Sequence, residues 1–533
     1  MNKSRTLKTF QTLLLILLAV TLSLIILEYA NPQLYPPGRD GGAYMYGGRT
    51  VLHGQTLYVD YWEAKGPLII FINAFGLLIG RDSRWGVWVV EVLFWVLAFL
   101  LGILTLKKQY GLTSALFSAV VMMMSGKILV GAGNFTEEYT LLFTWVAVFA
   151  FFKSLQKPGS KVYPILMGAM LALNFFVRAN NIVTSGLLIA LWLLSSLQKN
   201  GLKEMLRDAA LVFSGGCIVA IPLCLYFLFQ GTFIDMVNAS IVYNYSYSFH
   251  TQPDAKNLNI IQSGFMPAFH QLGIWMIFPL IGFLFAFAQF IKQLVSKQFA
   301  MITLLLVLIW PAEMVASSIS GRSYGHYFIL WLPGMAILSA YGLNYIFSQV
   351  QHHFLIKPLP KWAPLGLLSV TLALTIVIFH PQLAQYGASL SRVIKNHGED
   401  TVYLHPISAF ITENTNPDDL ILVWGGQTGM LFMSNRHSST AYNFYPLYAN
   451  SRLGKEIQHH YFEDLKNNKP KLILDAHIHA PDSLPSLDPA SRAVQRLIYP
   501  IADNYHEVLD YINAHYHLIL DQAGYQVYQL CEP

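Results

Sequence analysis

Eleven apolar stretches decide what this chain can fold into. They cover about residues 9–27, 85–106, 112–130, 139–155, 162–177, 182–198, 209–229, 271–294, 299–318, 326–348 and 363–380, and runs of roughly 17–25 residues are what a helix needs to cross the hydrocarbon core of a bilayer. The sequence therefore predicts an α-helical polytopic membrane protein with about eleven transmembrane helices. Composition agrees, since 54% of residues are hydrophobic and only 12% charged, with a mean hydropathy of +0.44, above the balance of a soluble globular protein. A net charge of +5 is small for 533 residues, so the placement of the positive residues carries the information and nucleic acid is not suggested as a partner. The cysteines, Cys217, Cys224 and Cys531, have neither a disulfide framework nor metal-ligand spacing.

The first span follows MNKSRTLK, and no small-residue cleavage site comes after its apolar core. It reads as a retained signal anchor with a cytoplasmic start. If the spans then alternate, the cytoplasmic connections carry Lys107 and Lys108, then Lys153, Lys157 and Lys161, then Lys199, Lys203 and Arg207, then Lys292 and Lys297, then Lys357 and Lys361. Each turn fits the positive-inside rule. An odd number of spans in the plasma membrane places residues 28–84, 131–138, 230–270, 319–325 and 382–533 on the extracytoplasmic side.

The chain divides by character near residue 385. Residues 1–384 hold the spans, and 385–533 form a soluble extracytoplasmic domain with more charge and proline. In that domain DDLILVWG, KLILDAH, YHLIL and YQVYQL read as short strands, while 453–467 and 493–515 have helical periodicity, which predicts a small α/β layer. It contains no glycine fingerprint for a nucleotide. Asp475, His477 and His479 in DAHIHAPD form either a metal cluster or a solvated loop, and the missing further ligand favours the loop.

The outer segments collect ionisable residues. Segment 28–84 holds two amphipathic pieces, AYMYGGRTVLHG and GPLIIFINAFGLLIG, suited to the membrane interface. Around them lie Asp40 in GRDGGAYMYGGR and Asp60, Glu63 and Lys65 in LYVDYWEAKGPL. Glu137 and Glu138 open the fourth span, Arg178 ends the fifth in FFVRANN, and GRSYGHYF brings Arg322, His326 and Tyr327 to the tenth. Charges near the hydrocarbon boundary are costly unless paired or hydrated, so their convergence on one side predicts a water-accessible cavity. A carboxylate there can take a proton from an attacking hydroxyl, and cationic groups can hold a departing phosphate.

The order of these motifs, an acid after the first span, DYWEAKGP about twenty residues later, an acidic pair in the second outer loop and GRSYGHYF before a late span, resembles the GT-C glycosyltransferases. Within them the chain looks most like the bacterial branch related to protein O-mannosyltransferases, ArnT and the RgtA/B/C/D-like group, over roughly residues 1–380. The resemblance implies an inverting enzyme that moves a hexose or pentose from a polyprenyl-phosphate donor to a lipid, glycan or protein acceptor of the cell envelope. It implies that Asp40 is the general base, that Glu138 or Glu137 is the second-loop acid orienting acceptor or metal, and that Lys65 faces the donor phosphate. Arg322, His326 and Arg178 would add positive charge or hydrogen bonds to the leaving group. Many relatives carry two adjacent acids where this chain has Arg39-Asp40-Gly41. That weakens the case for a divalent metal, so no metal ligand or cofactor is assigned, and a divalent ion is left open.

Each residue also has a plainer reading. Asp40 could pair with Arg39 or Arg49, Glu137 and Glu138 could complement the next helix dipole, and Lys65 could snorkel to lipid phosphate. Arg322 could be a structural ion-pair partner, His326 a hydrogen-bonded interfacial histidine, and the tyrosines of IVYNYSYSF an aromatic belt or a sugar-stacking surface. A lipid-linked glycan transporter or flippase would use a similar polar cavity, but it would place binding groups at mid-membrane and show internal repeats, and no repeat is visible. A receptor binding envelope glycans through its C-terminal domain leaves the ordered loop motifs unexplained. The topology makes a direct prediction: a reporter fused after Pro533 should register as extracytoplasmic and one beside Lys157 as cytoplasmic, and a cytoplasmic signal from the C-terminal fusion would overturn it.

Overall fold

The computed structural model describes residues 3–157, 159–250, 264–297, 299–318, 324–354, 363–396, 402–442, 452–480, 484–497 and 504–531. Every one of the eleven apolar windows falls on a helix, and the chain is a multi-pass membrane protein. Among the described residues eight helices are long and apolar enough to cross a membrane unaided. The longest, Arg84–Val130, contains two of the windows, separated at Gly111, whose φ of 82° interrupts the helical path. Val162–Val177 is a shorter apolar helix of 16 residues. Ala363–Ile378 reaches span length only with His380–Lys395, from which it is bent by 78°. Proline at the second position of the latter helix suits a fresh start there, because the missing N–H is one that no helix start can use.

Contacts divide the chain into two compact units, one of residues 1–31, 89–223 and 259–401, the other of residues 32–88, 224–258 and 402–533. In the first, long helices pack through small residues. Gly282 lies so close to the Leu338 carbonyl that a Cβ would stand 2.0 Å from its oxygen, the close backbone approach that membrane helix pairs favour. Trp95, Trp145 and Trp331 are fully buried within this unit, whereas Phe213 and Ile218 are exposed, as residues meeting lipid are. His380–Lys395 packs on the first helix, where the Tyr386 hydroxyl donates to the Leu27 carbonyl and Asn31 Nδ2 donates to Ser389 Oγ at 3.1 Å. The expected boundary at 384/385 lies within the His380–Lys395 helix.

The second unit joins the first long loop to the C-terminal residues. The two amphipathic pieces of that loop are the helices Arg39–Leu52 and Pro67–Ile79. Arg39–Leu52 is buried from Gly41 to Thr50, and its glycines explain how. A Cβ on Gly42 would stand 2.7 Å from the Cα of Gly429, and one on Gly48 would stand 2.7 Å from the amide nitrogen of Ala74 in Pro67–Ile79. Arg49 closes the end of the helix, donating to Asp82 Oδ1 at 2.9 Å and the Phe432 carbonyl at 2.6 Å, with its guanidinium 4.0 Å from the Phe432 ring centre.

The C-terminal residues carry the predicted small α/β layer. Strands β1 (Leu420–Trp424), β2 (His437–Ser438), β3 (Leu472–Asp475), β4 (Tyr516–Gln522) and β5 (Tyr525–Leu530) form one sheet in the order β2-β1-β3-β5-β4. β1 pairs parallel with β2 and β3, and β5 pairs antiparallel with β3 and β4. The β4–β5 hairpin turns on Ala523 and Gly524, both with positive φ as a two-residue hairpin of this twist requires. Leu422, Trp424, Ile473 and Tyr528 of the sheet pack against Tyr461 and Leu465 of the Arg452–Asn468 helix and against Val508 and Ile512 of Tyr505–His515.

The glycine contacts generate a stability prediction. Gly48→Val should lower the stability of the detergent-purified protein by about 1–3 kcal/mol, the usual effect of overpacking. Gly186→Ala, at a helical position with nothing within 4 Å of a new Cβ, should leave thermal unfolding unchanged or slightly raised. Equal melting of wild type and Gly48→Val would remove the close-approach argument.

Candidate active site

Two polar constellations hold the predicted site residues that are described, one in each unit. In the second unit Asp40 occupies the first turn of Arg39–Leu52, where a carboxylate complements the exposed amides of a helix start. Arg39 Nε lies 3.1 Å from Asp40 Oδ1, with the arginine side chain 43% and the aspartate side chain 14% accessible. The plainer pairing with Arg39 thus exists, on the solvent side of a carboxylate still open to approach. Pairing with Arg49 does not, since Arg49 is engaged with Asp82 and Phe432.

The strap from Tyr58 to Lys65 supplies the rest. Tyr58 takes a positive φ of 72°, its N–H donates to the Tyr61 carbonyl at 2.8 Å, and its hydroxyl donates to the Lys65 carbonyl at 2.9 Å. This tight turn places Glu63 inside, only 1% exposed. The Glu63 carboxyl accepts from the Lys65 amide at 3.2 Å, and the Tyr61 hydroxyl lies 2.7 Å from the Ala43 carbonyl and 3.4 Å from Glu63 Oε2. Burial pushes the Glu63 carboxyl above the ordinary range, Lys65 pulls it back, and the nearby charge of Asp40 pushes it up again. Burial likewise raises the Tyr61 hydroxyl, with Glu63 adding to the effect, and pushes Tyr46 up to about 12. Lys65 is half-buried, and its Nζ makes no ion pair within 4 Å among the described residues. Asp40, Tyr61, Glu63 and Lys65 thus form one electrostatically linked group.

The strap is also wedged from outside. Trp62 meets Tyr243 edge to face at 4.8 Å and Tyr442 at 6.2 Å, its backbone N–H donates to the Ala441 carbonyl, and Asn244 Nδ2 donates to the Ala64 carbonyl. Tyr243 is 6% exposed, so this tyrosine of IVYNYSYSF serves neither as belt nor as sugar platform. Tyr245 is 65% exposed.

In the first unit Glu137, Glu138, Arg178 and His326 come together around the start of the Thr136–Gln156 helix. Arg178 pairs with Glu137 Oε1 and lies 4.6 Å above the Tyr327 ring, while Thr136 Oγ1 donates to Glu137 Oε2 at 2.8 Å. His326 stacks on Phe135 at 4.4 Å and on Tyr324 at 5.7 Å. Glu138 turns the other way. Its Oε1 accepts from the Phe135 amide at 2.8 Å, capping its own helix, its Oε2 accepts from Trp95 Nε1 at 2.7 Å, and it lies in hydrogen-bond contact with Glu91. The helix-start reading therefore describes Glu138, while Glu137 has a cationic partner. Arg322 lies outside the described residues.

The sequence named Glu63 without giving it a role. For Glu63 the available signal was its place two residues before Lys65 in WEAK, but its burial depends on the turn at Tyr58. In the described part of the DAHIHAPD loop, Asp475 ties the chain to itself. Asp475, 1% exposed, accepts from the amides of His477 and Leu487 at 2.8 and 2.7 Å and lies 3.0 Å from His477 Nδ1, which raises the His477 titration. Among the described residues no three of His, Cys, Asp and Glu come together in a way that could hold a metal ion.

The chain combines apolar helices, a small C-terminal sheet and a helical first loop with an acid in its opening turn. The structure of ArnT from Cupriavidus metallidurans bound to undecaprenyl phosphate matches over 99% of this chain and 98% of that one, with a TM-score of 0.57 at 11% identity. The apo form of the same protein matches over 95% of each chain, with a TM-score of 0.55 at 12% identity. The family model for dolichyl-phosphate-mannose-protein mannosyltransferases matches residues 64–226. The chain thus has an ArnT-like fold, and over residues 64–226 it is similar to the mannosyltransferase family. No curated protein matches the sequence.

The buried Glu63 yields a pH prediction. Its unfolded form titrates near 4.5 and its folded form at higher pH, so above that value the unfolded chain loses the proton first and stability declines as pH rises. Glu63→Gln removes this loss. Its melting temperature relative to wild type should climb between about pH 5 and pH 8 and show no gain near pH 4, and a difference independent of pH would contradict the assignment.

Proposed function

We propose that this protein is an inverting glycosyltransferase that moves a sugar from a polyprenyl-phosphate donor to a lipid, glycan or protein acceptor at the outer face of the plasma membrane. The observation that carries the reading is the Asp40 group: an accessible carboxylate on a rigid, glycine-packed helix, electrostatically linked to the strap that bears Lys65. Support for the lipid carrier comes from the fold, because ArnT, with the same fold over nearly the whole chain, binds undecaprenyl phosphate.

In this mechanism the acceptor oxygen attacks the anomeric carbon from the face opposite the phosphate, and the bond from that carbon to the phosphate oxygen breaks. Asp40 accepts the hydroxyl proton and later releases it to water, while polyprenyl phosphate leaves with the bonding electron pair. Lys65 holds the phosphate and stabilises the charge that grows on it. Glu63 and Tyr61 keep the strap and the helix in register. Arg178 and His326 retain the donor-phosphate role that the resemblance implies, with Glu137 as the partner that orients Arg178.

The test is single-turnover transfer in nanodiscs, with radiolabelled polyprenyl-phosphate sugars offered one at a time. Asp40→Asn should keep membrane expression and donor binding and lose roughly two to four powers of ten in rate, the usual contribution of general-base catalysis. Lys65→Ala should weaken donor binding more than it weakens folding. Near-normal turnover by Asp40→Asn would return Asp40 to an ion pair with Arg39, which at an exposed position is worth at most about 1 kcal/mol.

A further inference from the structure

Arg178 sits in a break between two helices. Val162–Val177 ends there, Arg178 itself is extended at φ −161° and ψ 124°, Ala179–Ile182 makes one 3-10 turn, and Val183–Asn200 begins. Ile182 stands at the N-cap of the new helix and has no side-chain oxygen to offer its first amides. Such orphan donors are costly where water is scarce. The missing acceptor comes from a different helix: Glu313 of Met301–Ser318, 3% exposed, accepts from the hydroxyl of Thr184, and its carboxyl faces the Thr184 backbone amide. The break is tied elsewhere to the helix that carries Glu137. Asn174 Nδ2 donates to Ser185 Oγ at 2.9 Å and to Thr144 Oγ1 at 3.4 Å, and Asn181 Nδ2 donates to Thr140 Oγ1 at 3.2 Å. These bonds fix the chain on both sides of Arg178.

We propose that Glu313 is a positioning residue that caps the Val183–Asn200 helix in trans and thereby aims Arg178 at the donor phosphate. This rests on the reading of Arg178 as a phosphate ligand. Glu313 Oε2 accepts nothing among the described residues, so a glutamine, whose amide nitrogen replaces that atom, keeps the oxygen that forms the cap. An alanine removes it.

The experiment uses the full chain in nanodiscs, as wild type, Glu313→Gln, Glu313→Ala, Arg178→Ala and the Glu313→Ala/Arg178→Ala double variant. Hydrogen exchange at Thr184–Gly186 reads the cap directly. It should quicken about tenfold in Glu313→Ala and stay near wild type in Glu313→Gln. Binding of undecaprenyl phosphate, normalised to folded protein, reads the positioning. Glu313→Ala should weaken it roughly tenfold, Glu313→Gln should restore it, and Glu313→Ala should add little to Arg178→Ala. Unchanged exchange in Glu313→Ala would overturn the cap whatever the protein does. Quickened exchange with unchanged or additive binding loss would leave a structural glutamate and overturn the positioning role. If wild type fails to bind undecaprenyl phosphate at all, the donor reading fails and the positioning role with it, while the exchange data still decide the cap.

Discussion

A buried carboxylate in a chain that crosses lipid has to be met by donors, because no water is there to solvate it. Much of this structure answers that demand. Glu137 is met by Arg178 and Thr136, Glu138 by Trp95 and the start of its own helix, Glu313 by Thr184, and Glu63 by the amides of its own strap and by Tyr61. Each pairing ties together segments that apolar packing alone would leave free to slide. Glu91 shows how tight the arrangement is. It accepts from the Asn134 amide at 2.5 Å, and a Cβ on Gly133 would stand 2.3 Å from its Oε1, so the loop before the Thr136–Gln156 helix is shaped around one carboxyl oxygen.

Most of the membrane architecture was legible because span length and apolarity are local properties. Eleven runs gave eleven helices, including the pair that meets at Gly111 and the short Val162–Val177 helix. The strands were legible for the same reason, as β-branched runs between turns. What the sequence did not reveal was which distant segments pack together. Nothing local in residues 32–88 says that their neighbours are residues 224–258 and 402–533, since those contacts depend on shape at Gly42, Gly48 and Trp62.

The site was legible in the same uneven way. Asp40, Lys65, Glu137, Arg178 and His326 stood out as charges or hydrogen-bonding groups beside apolar runs, and Arg178 does meet Glu137. The two adjacent acids at the fourth span were indistinguishable in sequence, yet one step around the helix sends Glu137 to an arginine and Glu138 to a tryptophan. Glu63 was read only as one more outer-loop charge. Its burial follows from a left-handed tyrosine, a conformation that sequence propensity assigns to glycine or asparagine first.

The wedged position of Trp62 bears on how such a chain can be shortened. Tyr442 and Ala441 hold the strap from one side and Tyr243 and Asn244 hold it from the other, while Gly429 fills the space beside Gly42. Cutting away residues 402–533 would therefore disturb the first long loop as well. It would strip the lining from the helix that bears Asp40 and leave a large indole and a row of glycines facing water. The C-terminal residues pack on the first loop, so residues 32–88 and 402–533 have to be inherited, exchanged or engineered together.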